Sequence, residues 1–185
     1  MKTESNVRYI LRLTVTLLLI TAVVAAALAG VNAITKDKIA ALQQEKMNTA
    51  MKEVLPGFDN FAACAFTADN STVKNVYLPH GGDGSAYVVE VAPAGFGGEI
   101  SMMVGIQEGK VTGVSIVSHA ETAGLGAIAA DGGEKGVAFR SQFQGAEGVV
   151  KVEKDGGTID SITGATITSR AVADGVSAAL TVKIG

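Results

Sequence analysis

Residues 100–117 read ISMMVGIQEGKVTGVSIV and hold two apolar segments with a short polar connection between them. The segments 100–106 and 111–117 each have the length and the β-branched content typical of a strand. The connecting residues 107–110 are Gln, Glu, Gly and Lys, a composition that suits a tight turn between antiparallel strands. The pattern predicts a β-hairpin.

The sequence on either side of this hairpin continues with short apolar segments and glycine-rich loops. Residues 86–92 (AYVVEVA) predict a third strand, and residues 149–152 predict a further short one. Residues 119–136 are rich in glycine, which predicts a loop with a short helical turn. Phe139 and Phe143, four positions apart, predict a short helix.

An amphipathic helix near the C-terminus is predicted to begin near Ser169. Thr168 or Ser169 suits the N-cap position, because a hydroxyl there can accept a hydrogen bond from a free N–H of the first turn. The apolar face of this helix has the spacing i, i+4, i+7, i+8, given by Val172, Val176, Ala179 and Leu180. Together these patterns predict an α+β domain with a mainly antiparallel sheet and flanking helices.

The N-terminal region carries a long apolar segment. Residues 13–31 contain no charged side chain and are close to the ~20 residues that cross a membrane as a helix. Lys2, Arg8 and Arg12 precede the segment, which favours a cytoplasmic N-terminus. A cleaved signal peptide is the alternative, because residues 31–33 (VNA) have the small side chains of a cleavage site.

The predicted organisation has four parts. Residues 1–8 form a short cytoplasmic N-terminus, 9–34 a transmembrane helix, 35–57 a helical stalk that ends at Pro56-Gly57, and 58–185 an extracytoplasmic domain. We therefore expect a single-pass protein of the cell (inner) membrane.

Composition argues against several classes of function. The net charge is −3, from 15 basic and 18 acidic side chains with no basic stripe, so nucleic-acid binding is not expected. The single Cys64 excludes an internal disulfide and any multi-cysteine iron–sulfur or zinc site. With only two histidines in the sequence, no metal site is expected. Any redox chemistry must therefore come from an organic cofactor.

Residues 160–169 (DSITGATITS) place a hydroxyl-rich turn directly before the predicted C-terminal helix. Gly164 and Ala165 keep bulk away from the backbone before Thr166, so a large phosphate-bearing group has room to approach its hydroxyl. The N-terminus of a helix then offers free N–H groups and a favourable dipole to the negative charge of a phosphodiester. On the local pattern alone, an ordinary turn and helix cap remains the alternative.

A family resemblance favours the phosphodiester interpretation. Asp160, Thr163, Gly164, Ala165 and Thr166 match the pattern Asp-x-x-(Ser/Thr)-Gly-Ala-(Ser/Thr), at which flavin is attached in the FMN-binding domain family. Further segments resemble that family in the same order, namely 95–100 (GFGGEI), 104–106 (VGI), 119–126 (HAETAGLG) and 139–143 (FRSQF). With its N-terminal apolar segment, the chain is most similar to the G-type subunit of Rnf-type ion-translocating ferredoxin:NAD⁺ oxidoreductases.

The resemblance implies a cofactor and the residues that hold it. FMN is expected as a covalent phosphoester on Thr166, attached by a flavin transferase that reads Asp160. Thr163, Gly164 and Ala165 are expected to line the phosphate and the ribityl chain. The segment from His119 to Gly126 is expected to surround the isoalloxazine ring, through His119, Glu121, Thr122, Leu125 and Gly126. His119 is an alternative proton relay, Phe96 an alternative cover for the cofactor, and Ala123 stands where the family commonly has proline.

The resemblance also implies a function. The chain is expected to be an electron carrier with no catalytic residue of its own, a redox subunit of a translocase that assembles with the other membrane subunits of an Rnf-type complex. Three alternatives stay open. The first is a stand-alone membrane-anchored flavoprotein that feeds an extracytoplasmic reductase. The second is a protein like the C-type subunit of a Na⁺-translocating NADH:quinone oxidoreductase. The third is an anchored binding domain without redox function, in which Thr166 is only a turn residue.

Overall fold

A computed structural model describes residues 2–68, 70–82 and 84–184, with side chains described from residue 7 onward. The chain separates into two compact units, Met1–Gln44 and Glu45–Gly185. In chain order the elements are α1 (Lys2–Val54), β1 (Phe61–Cys64), β2 (Phe66–Thr67), β3 (Val73–Pro79), β4 (Ala86–Val91), β5 (Ser101–Gln107), β6 (Lys110–Ser118), a 3₁₀ turn (Gly126–Ala130), α2 (Glu134–Ser141), a second 3₁₀ turn (Glu153–Asp155), α3 (Thr166–Leu180) and β7 (Lys183–Ile184).

The first unit is helical and exposes its apolar side chains. By length and composition, this helix is long and apolar enough to cross a membrane. The hydroxyls of Thr14, Thr16 and Thr21 each donate a hydrogen bond to the carbonyl four residues earlier, at 2.9, 2.8 and 3.0 Å. These bonds satisfy the hydroxyls within the helix itself, as an apolar environment requires. The prediction of an N-terminal apolar helix of membrane-spanning length is confirmed.

The second unit is built on a five-stranded antiparallel sheet with the order β1-β3-β4-β5-β6. The predicted hairpin is present, with Gln107 paired to Lys110 at its turn. Helix α3 packs on one face, where Val172 and Val176 are fully buried in the main core. Gly175 lies so near Met102 of β5 that a Cβ there would overlap the methionine. The predicted α+β fold with an antiparallel sheet and flanking helices is confirmed.

The other face of the sheet is covered by the last turns of α1, which belong to the same unit. Met51, Val54 and Leu55 are buried there in a second core cluster with side chains of β4 and β5. Gly105 and Gly113 are paired across β5 and β6, and a Cβ on either would contact the backbone of Val54. These two glycines form a notch into which the helix end fits.

The start of α3 differs from the prediction. The helix begins at Thr166 rather than near Ser169, and its N-cap is Ala165, so the prediction of Thr168 or Ser169 as N-cap was wrong. Both hydroxyls are buried and used elsewhere. The Ser169 hydroxyl accepts from the Ile162 N–H and donates to the Ala165 carbonyl, both at 3.0 Å. These bonds tie the helix to the preceding turn and let it start one turn earlier.

The prediction of a strand at residues 149–152 was also wrong. Val152 makes only an isolated parallel bridge to Ile159. The backbone of Val150 is instead satisfied by the Ser177 hydroxyl, which accepts from its N–H at 2.8 Å and donates to its carbonyl at 2.9 Å. A side chain of α3 therefore takes the place that a neighbouring strand would occupy.

Candidate functional site

A cavity of ≈ 360 Å³ lies at the N-terminal end of α3. Four segments form its walls: the loop around Phe96, the loop that enters the first 3₁₀ turn, the second 3₁₀ turn, and the first residues of α3 with the turn before them. We call it the Thr166 cavity; it is lined by Phe96, Glu121, Thr122, Leu125, Gly126, Lys154, Gly164, Ala165, Thr166, Ile167 and Thr168. Its volume is within the range of about 300–1,000 Å³ that is typical of small-molecule sites.

The turn before α3 brings Thr166 to the cavity. Gly164 has a φ of +78°, a left-handed conformation that favours glycine. The Ala165 N–H closes the turn by donating to the Ile162 carbonyl at 2.9 Å. Thr166 follows as the first helical residue, and in the described part of the chain no side chain caps the helix. The N–H groups of the first turn therefore lack intrahelical partners and are available to an anion.

A lysine from a distant turn reaches the same hydroxyl. The ammonium of Lys154 donates a hydrogen bond to Thr166 Oγ1 at 3.0 Å. The next residue, Asp155, accepts two hydrogen bonds from Arg170, which lies one helical turn after Thr166. The bond from Arg170 and the positive charges around it hold the pKa of Asp155 below its ordinary value. A threonine hydroxyl with an adjacent cation and free helix N–H groups is an arrangement suited to a phosphate ester.

Glu121 connects the walls of the cavity. Its side chain is buried, and one carboxylate oxygen accepts from the Thr168 hydroxyl at 2.5 Å. The other oxygen accepts from the Gly97 N–H at 3.0 Å. A Cβ on Gly95 or Gly126 would overlap this carboxylate, so the glycines on both sides make room for it. Both oxygens of Glu121 are thus engaged within the protein, and the residue fixes the geometry of the loops.

The mouth of the cavity carries exposed apolar side chains. Phe96 is 68 % exposed, Ile167 50 % and Leu125 44 %. One aromatic ring and two branched aliphatic side chains around an opening are suited to contact the face of a flat conjugated ring. Together with the polar end at Thr166, the cavity fits a ligand with a flat apolar part and a phosphate, as FMN has.

The structure brings most of the predicted cofactor-binding residues together. The Thr166 cavity contains Glu121, Thr122, Leu125, Gly126, Gly164, Ala165 and Thr166, and also Phe96. Asp160 and Thr163 instead line a neighbouring cavity of ≈ 410 Å³, which we call the Asp160 cavity. The backbone of Asp160 is held there by Gln142, whose side-chain oxygen accepts from its N–H at 2.7 Å.

His119 lies apart from the Thr166 cavity. It borders a separate cavity of ≈ 290 Å³, and its Nδ1 accepts a hydrogen bond from the Glu121 N–H at 3.2 Å. Its ring thus orders the loop locally, two residues before the carboxylate that binds Gly97 and Thr168.

Three residues of the Thr166 cavity were not among the predicted ones: Lys154, Ile167 and Thr168. Ile167 and Thr168 directly follow Thr166. A prediction that the helix begins at Thr166 would have placed both of them in its first turn, beside the cavity. Lys154 has a weaker signal, the sequence Lys-Asp-Gly-Gly at 154–157, in which glycine permits a tight turn. Gly156 does adopt φ +81° at the end of that turn.

Comparison with known proteins identifies two regions of the chain. Residues 95–181 match the FMN-binding domain, and residues 1–54 match the RnfG N-terminal region. The G-type subunit of an ion-translocating oxidoreductase complex from Methanosarcina acetivorans is 33 % identical over 184 residues, which cover 95 % of each chain. The G-type subunit of a proton-translocating ferredoxin:NAD(+) oxidoreductase complex from Clostridium ljungdahlii is 36 % identical, covering 83 % of this chain and 80 % of its own.

A solved structure, the C-type subunit of a Na⁺-translocating NADH-quinone reductase from Parabacteroides distasonis, is similar with a TM-score of 0.45 and 24 % identity, covering 56 % of this chain and 57 % of its own. The resemblance to the G-type subunit that was predicted from the sequence motifs is confirmed by the relatives. The chain belongs to the family of G-type subunits of ion-translocating oxidoreductase complexes, and it contains an FMN-binding domain.

Proposed function

We propose that this protein is the electron-carrying subunit of a membrane-bound ion-translocating ferredoxin:NAD⁺ oxidoreductase, and that its carrier is FMN bound as a phosphoester to Thr166. The observation that carries the proposal is the position of Thr166: its hydroxyl lies in a ligand-sized cavity, at the N-terminus of a helix to which the described residues supply no side-chain cap. The names of the relatives support the complex and the ferredoxin:NAD(+) couple.

The residues of the cavity have separable tasks in this proposal. FMN, when bound, supplies one- and two-electron chemistry, while the protein supplies position, shielding from water and electrostatics. The free N–H groups at the start of α3 favour the single negative charge of the phosphodiester. Gly164 leaves space beside the attached group, and Phe96, Leu125 and Ile167 provide apolar contact to the ring. Glu121 keeps the loops in place around it.

The proposed domain organisation is based on the charge and hydropathy of the N-terminal region. Residues 1–8 would lie in the cytoplasm, 9–34 would span the cell (inner) membrane, 35–57 would form the stalk, and 58–185 would form the extracytoplasmic domain. The basic side chains before the apolar segment support this orientation. A flavin transferase would then modify the domain, and the other membrane subunits of the complex would exchange electrons with it.

The attachment is tested by expressing the full chain with a flavin transferase and comparing Thr166→Ala with Thr158→Ala. Both variants lose one threonine hydroxyl, but Thr158 is exposed and lies outside the attachment motif and outside the Thr166 cavity. We expect a fluorescent band on a denaturing gel, with the mass of one FMN added, for the wild type and for Thr158→Ala. Thr166→Ala should be dark. Fluorescence retained in Thr166→Ala, or a dark wild type beside a labelled control substrate, would contradict the proposal.

The orientation is tested separately with thiol labelling. Cys64 is the only cysteine, so a Cys64→Ser chain is free of thiols and accepts a single new cysteine. Asp59→Cys in that background lies in the domain and Ser5→Cys lies in the N-terminal segment. A membrane-impermeant maleimide added to intact cells should label the cysteine at position 59 and not the one at position 5. The reverse pattern would place the domain in the cytoplasm.

A further inference from the structure

Lys154 is a cation held beside the hydroxyl that the proposed function modifies. Its ammonium donates to Thr166 Oγ1 at 3.0 Å, although the two residues are 12 positions apart in the sequence. Lys154 and Glu121 are the charged side chains that line the Thr166 cavity. Because the Glu121 carboxylate already accepts from Thr168 and Gly97, the ammonium is the charge in this cavity that faces the Thr166 hydroxyl.

The backbone around Lys154 is fixed by its own hydrogen bonds. The N–H of Asp155 donates to the Val152 carbonyl at 2.9 Å, and the N–H of Gly156 donates to the Glu153 carbonyl at 2.9 Å. The N–H of Glu153 donates to the Ile159 carbonyl at 2.8 Å. These bonds hold the 3₁₀ turn at one conformation, so the lysine side chain starts from a defined position.

The same turn is fastened to α3 on the face that carries Thr166. Arg170 follows Thr166 by four residues, so the two side chains lie on one face of the helix. Its guanidinium holds Asp155, the residue after Lys154. Lys154 with Thr166 and Asp155 with Arg170 thus form two adjacent contacts between the turn and the helix. These two contacts fix the position of the turn against the helix, so that the Lys154 ammonium lies next to the Thr166 hydroxyl.

We infer that Lys154 is a positioning residue for flavin attachment, which orients the Thr166 hydroxyl before the transfer and holds the phosphodiester anion after it. This inference rests on the proposed function. The Lys154 ammonium adds a positive charge to the free N–H groups of the helix, and both attract the phosphodiester. A hydrogen bond from an ammonium to a phosphate oxygen is stronger than one between neutral groups.

The transfer step needs a flavin dinucleotide and the transferase. Thr166 Oγ1 forms a bond to the phosphorus on the flavin side of the pyrophosphate, and the bond from that phosphorus to the bridging oxygen breaks. Adenosine monophosphate leaves with the electron pair, and the hydroxyl proton passes to a base of the transferase. The ammonium of Lys154 remains protonated throughout; it disperses the negative charge that develops on Oγ1 and then bonds to a non-bridging phosphate oxygen.

The test measures the initial rate of flavin incorporation into the purified full chain in detergent, with transferase and flavin adenine dinucleotide added. The variants are Lys154→Met, Lys154→Arg and Lys151→Met. Lys151→Met is the matched control, because it removes one exposed lysine charge three residues away and outside the Thr166 cavity. Incorporation is followed by in-gel fluorescence and intact mass, and each variant's thermal unfolding midpoint is recorded without flavin.

We expect Lys154→Met to incorporate flavin about tenfold more slowly than the wild type, as the loss of a charge-assisted hydrogen bond predicts. Lys154→Arg should restore most of the rate, and Lys151→Met should match the wild type. The unfolding midpoints should be equal. The ratio between wild type and Lys154→Met should shrink as salt rises from about 0.01 M to 1 M, because the screening length falls from about 30 Å to about 3 Å.

Equal rates for Lys154→Met and Lys151→Met would overturn the inference, and so would an arginine variant as slow as the methionine one. In both of these outcomes the wild-type chain still incorporates flavin, so neither contradicts the proposed function. A wild-type chain that takes up no flavin while a control substrate is labelled contradicts the proposed function itself.

Discussion

Arg170 holds the carboxylate of Asp155 through two hydrogen bonds, with Nε 2.5 Å from Oδ2 and Nη2 2.8 Å from Oδ1. The pair joins the 3₁₀ turn of Lys154 to the first turns of α3 and so to Thr166. Its bidentate geometry specifies orientation as well as distance, which lysine in place of arginine would not do. The pair lies at the surface, where ion pairs contribute little to stability, so its main effect is on the position of the turn.

The first prediction concerns the pH dependence of this pair. The hydrogen bond from Arg170 lowers the pKa of Asp155 below 3.8, so the folded state favours the charged carboxylate. The resulting stability is present above pH 3.8 and is lost as the pH falls through the lowered value. Asp155→Asn should therefore be slightly less stable than the wild type at pH 7, and the difference should shrink at an acidic pH below the ordinary pKa of an aspartate. Urea unfolding at both pH values measures it.

The control for this measurement is Asp59→Asn. Asp59 pairs with Lys52 through a single contact of 3.0 Å between exposed side chains. It should give a smaller difference at pH 7, since exposed single contacts contribute about 0–1 kcal/mol. A difference for Asp155→Asn that persists unchanged at the acidic pH would contradict the role assigned to its charge.

The second prediction concerns the buried pair of Glu121 and Thr168. Glu121→Ala removes the acceptor of two hydrogen bonds and leaves the Thr168 hydroxyl, which is 2 % exposed, without its partner. We expect a loss of about 2–3 kcal/mol in the free energy of unfolding, because unsatisfied buried groups cost about 1–3 kcal/mol each. Glu147→Ala, which removes a surface carboxylate paired with Lys110, should cost less than about 1 kcal/mol.

A double-mutant cycle separates this pair from general damage. Thr168→Val alone should be destabilising, but in the Glu121→Ala background its additional cost should fall by more than about 0.5 kcal/mol, the coupling expected for residues in one hydrogen-bond network. Strict additivity of the two substitutions would show that the carboxylate and the hydroxyl do not act on each other.

Local sequence patterns were sufficient for the elements whose signals are contained in a few residues. The hairpin of β5 and β6 and the strand β4 have continuous apolar segments with turn residues between them, and they were predicted nearly to their ends. Strand β3 (VKNVYLP) pairs with β4 and β1, but lysine and asparagine interrupt its apolar pattern. It was not predicted, because its place depends on neighbours elsewhere in the sequence.

The errors around α3 have the same origin. Threonine and serine before a helix usually cap it, and that local preference placed the helix start too late. In the structure Thr168 instead bonds to Glu121, 47 positions away in the sequence. Lys154 reaches Thr166 across an intervening turn in a similar way. Partners that meet only through the tertiary fold leave no local signal, whereas Thr166 and its neighbours were indicated by a motif.

The third prediction concerns the glycine notch that receives the end of α1. A Cβ on Gly105 would overlap the Val54 carbonyl, while one on Gly113 would lie 3.3 Å from Val54 Cα. Gly105→Ala should therefore cost roughly 1–3 kcal/mol, as overpacking does. Gly113→Ala should be close to neutral, because removing a strand glycine offsets a slight crowding by up to about 1 kcal/mol. Urea unfolding of the full chain in detergent compares the two variants. Equal losses in the free energy of unfolding would mean that the end of α1 does not pack closely against these two glycines.

The last prediction separates backbone strain from the shape of the cavity. Gly164 has φ +78°, and a Cβ there would lie 3.1 Å from Leu125 Cδ2, inside the Thr166 cavity. Gly148 has φ +65° with open space around it, so Gly148→Ala carries the backbone cost alone. Each variant should lose about 1–2 kcal/mol in the free energy of unfolding, the cost of a left-handed alanine.

Flavin incorporation should distinguish the two alanine variants. Gly164→Ala adds a methyl group between Leu125 and the backbone that presents Thr166, so its incorporation by the transferase should fall several-fold more than that of Gly148→Ala. The rates are compared at a temperature at which both variants are folded by circular dichroism. If both variants incorporate flavin at the same rate, Gly164 is needed only for the conformation of the turn. The ligand then does not occupy the space beside Leu125.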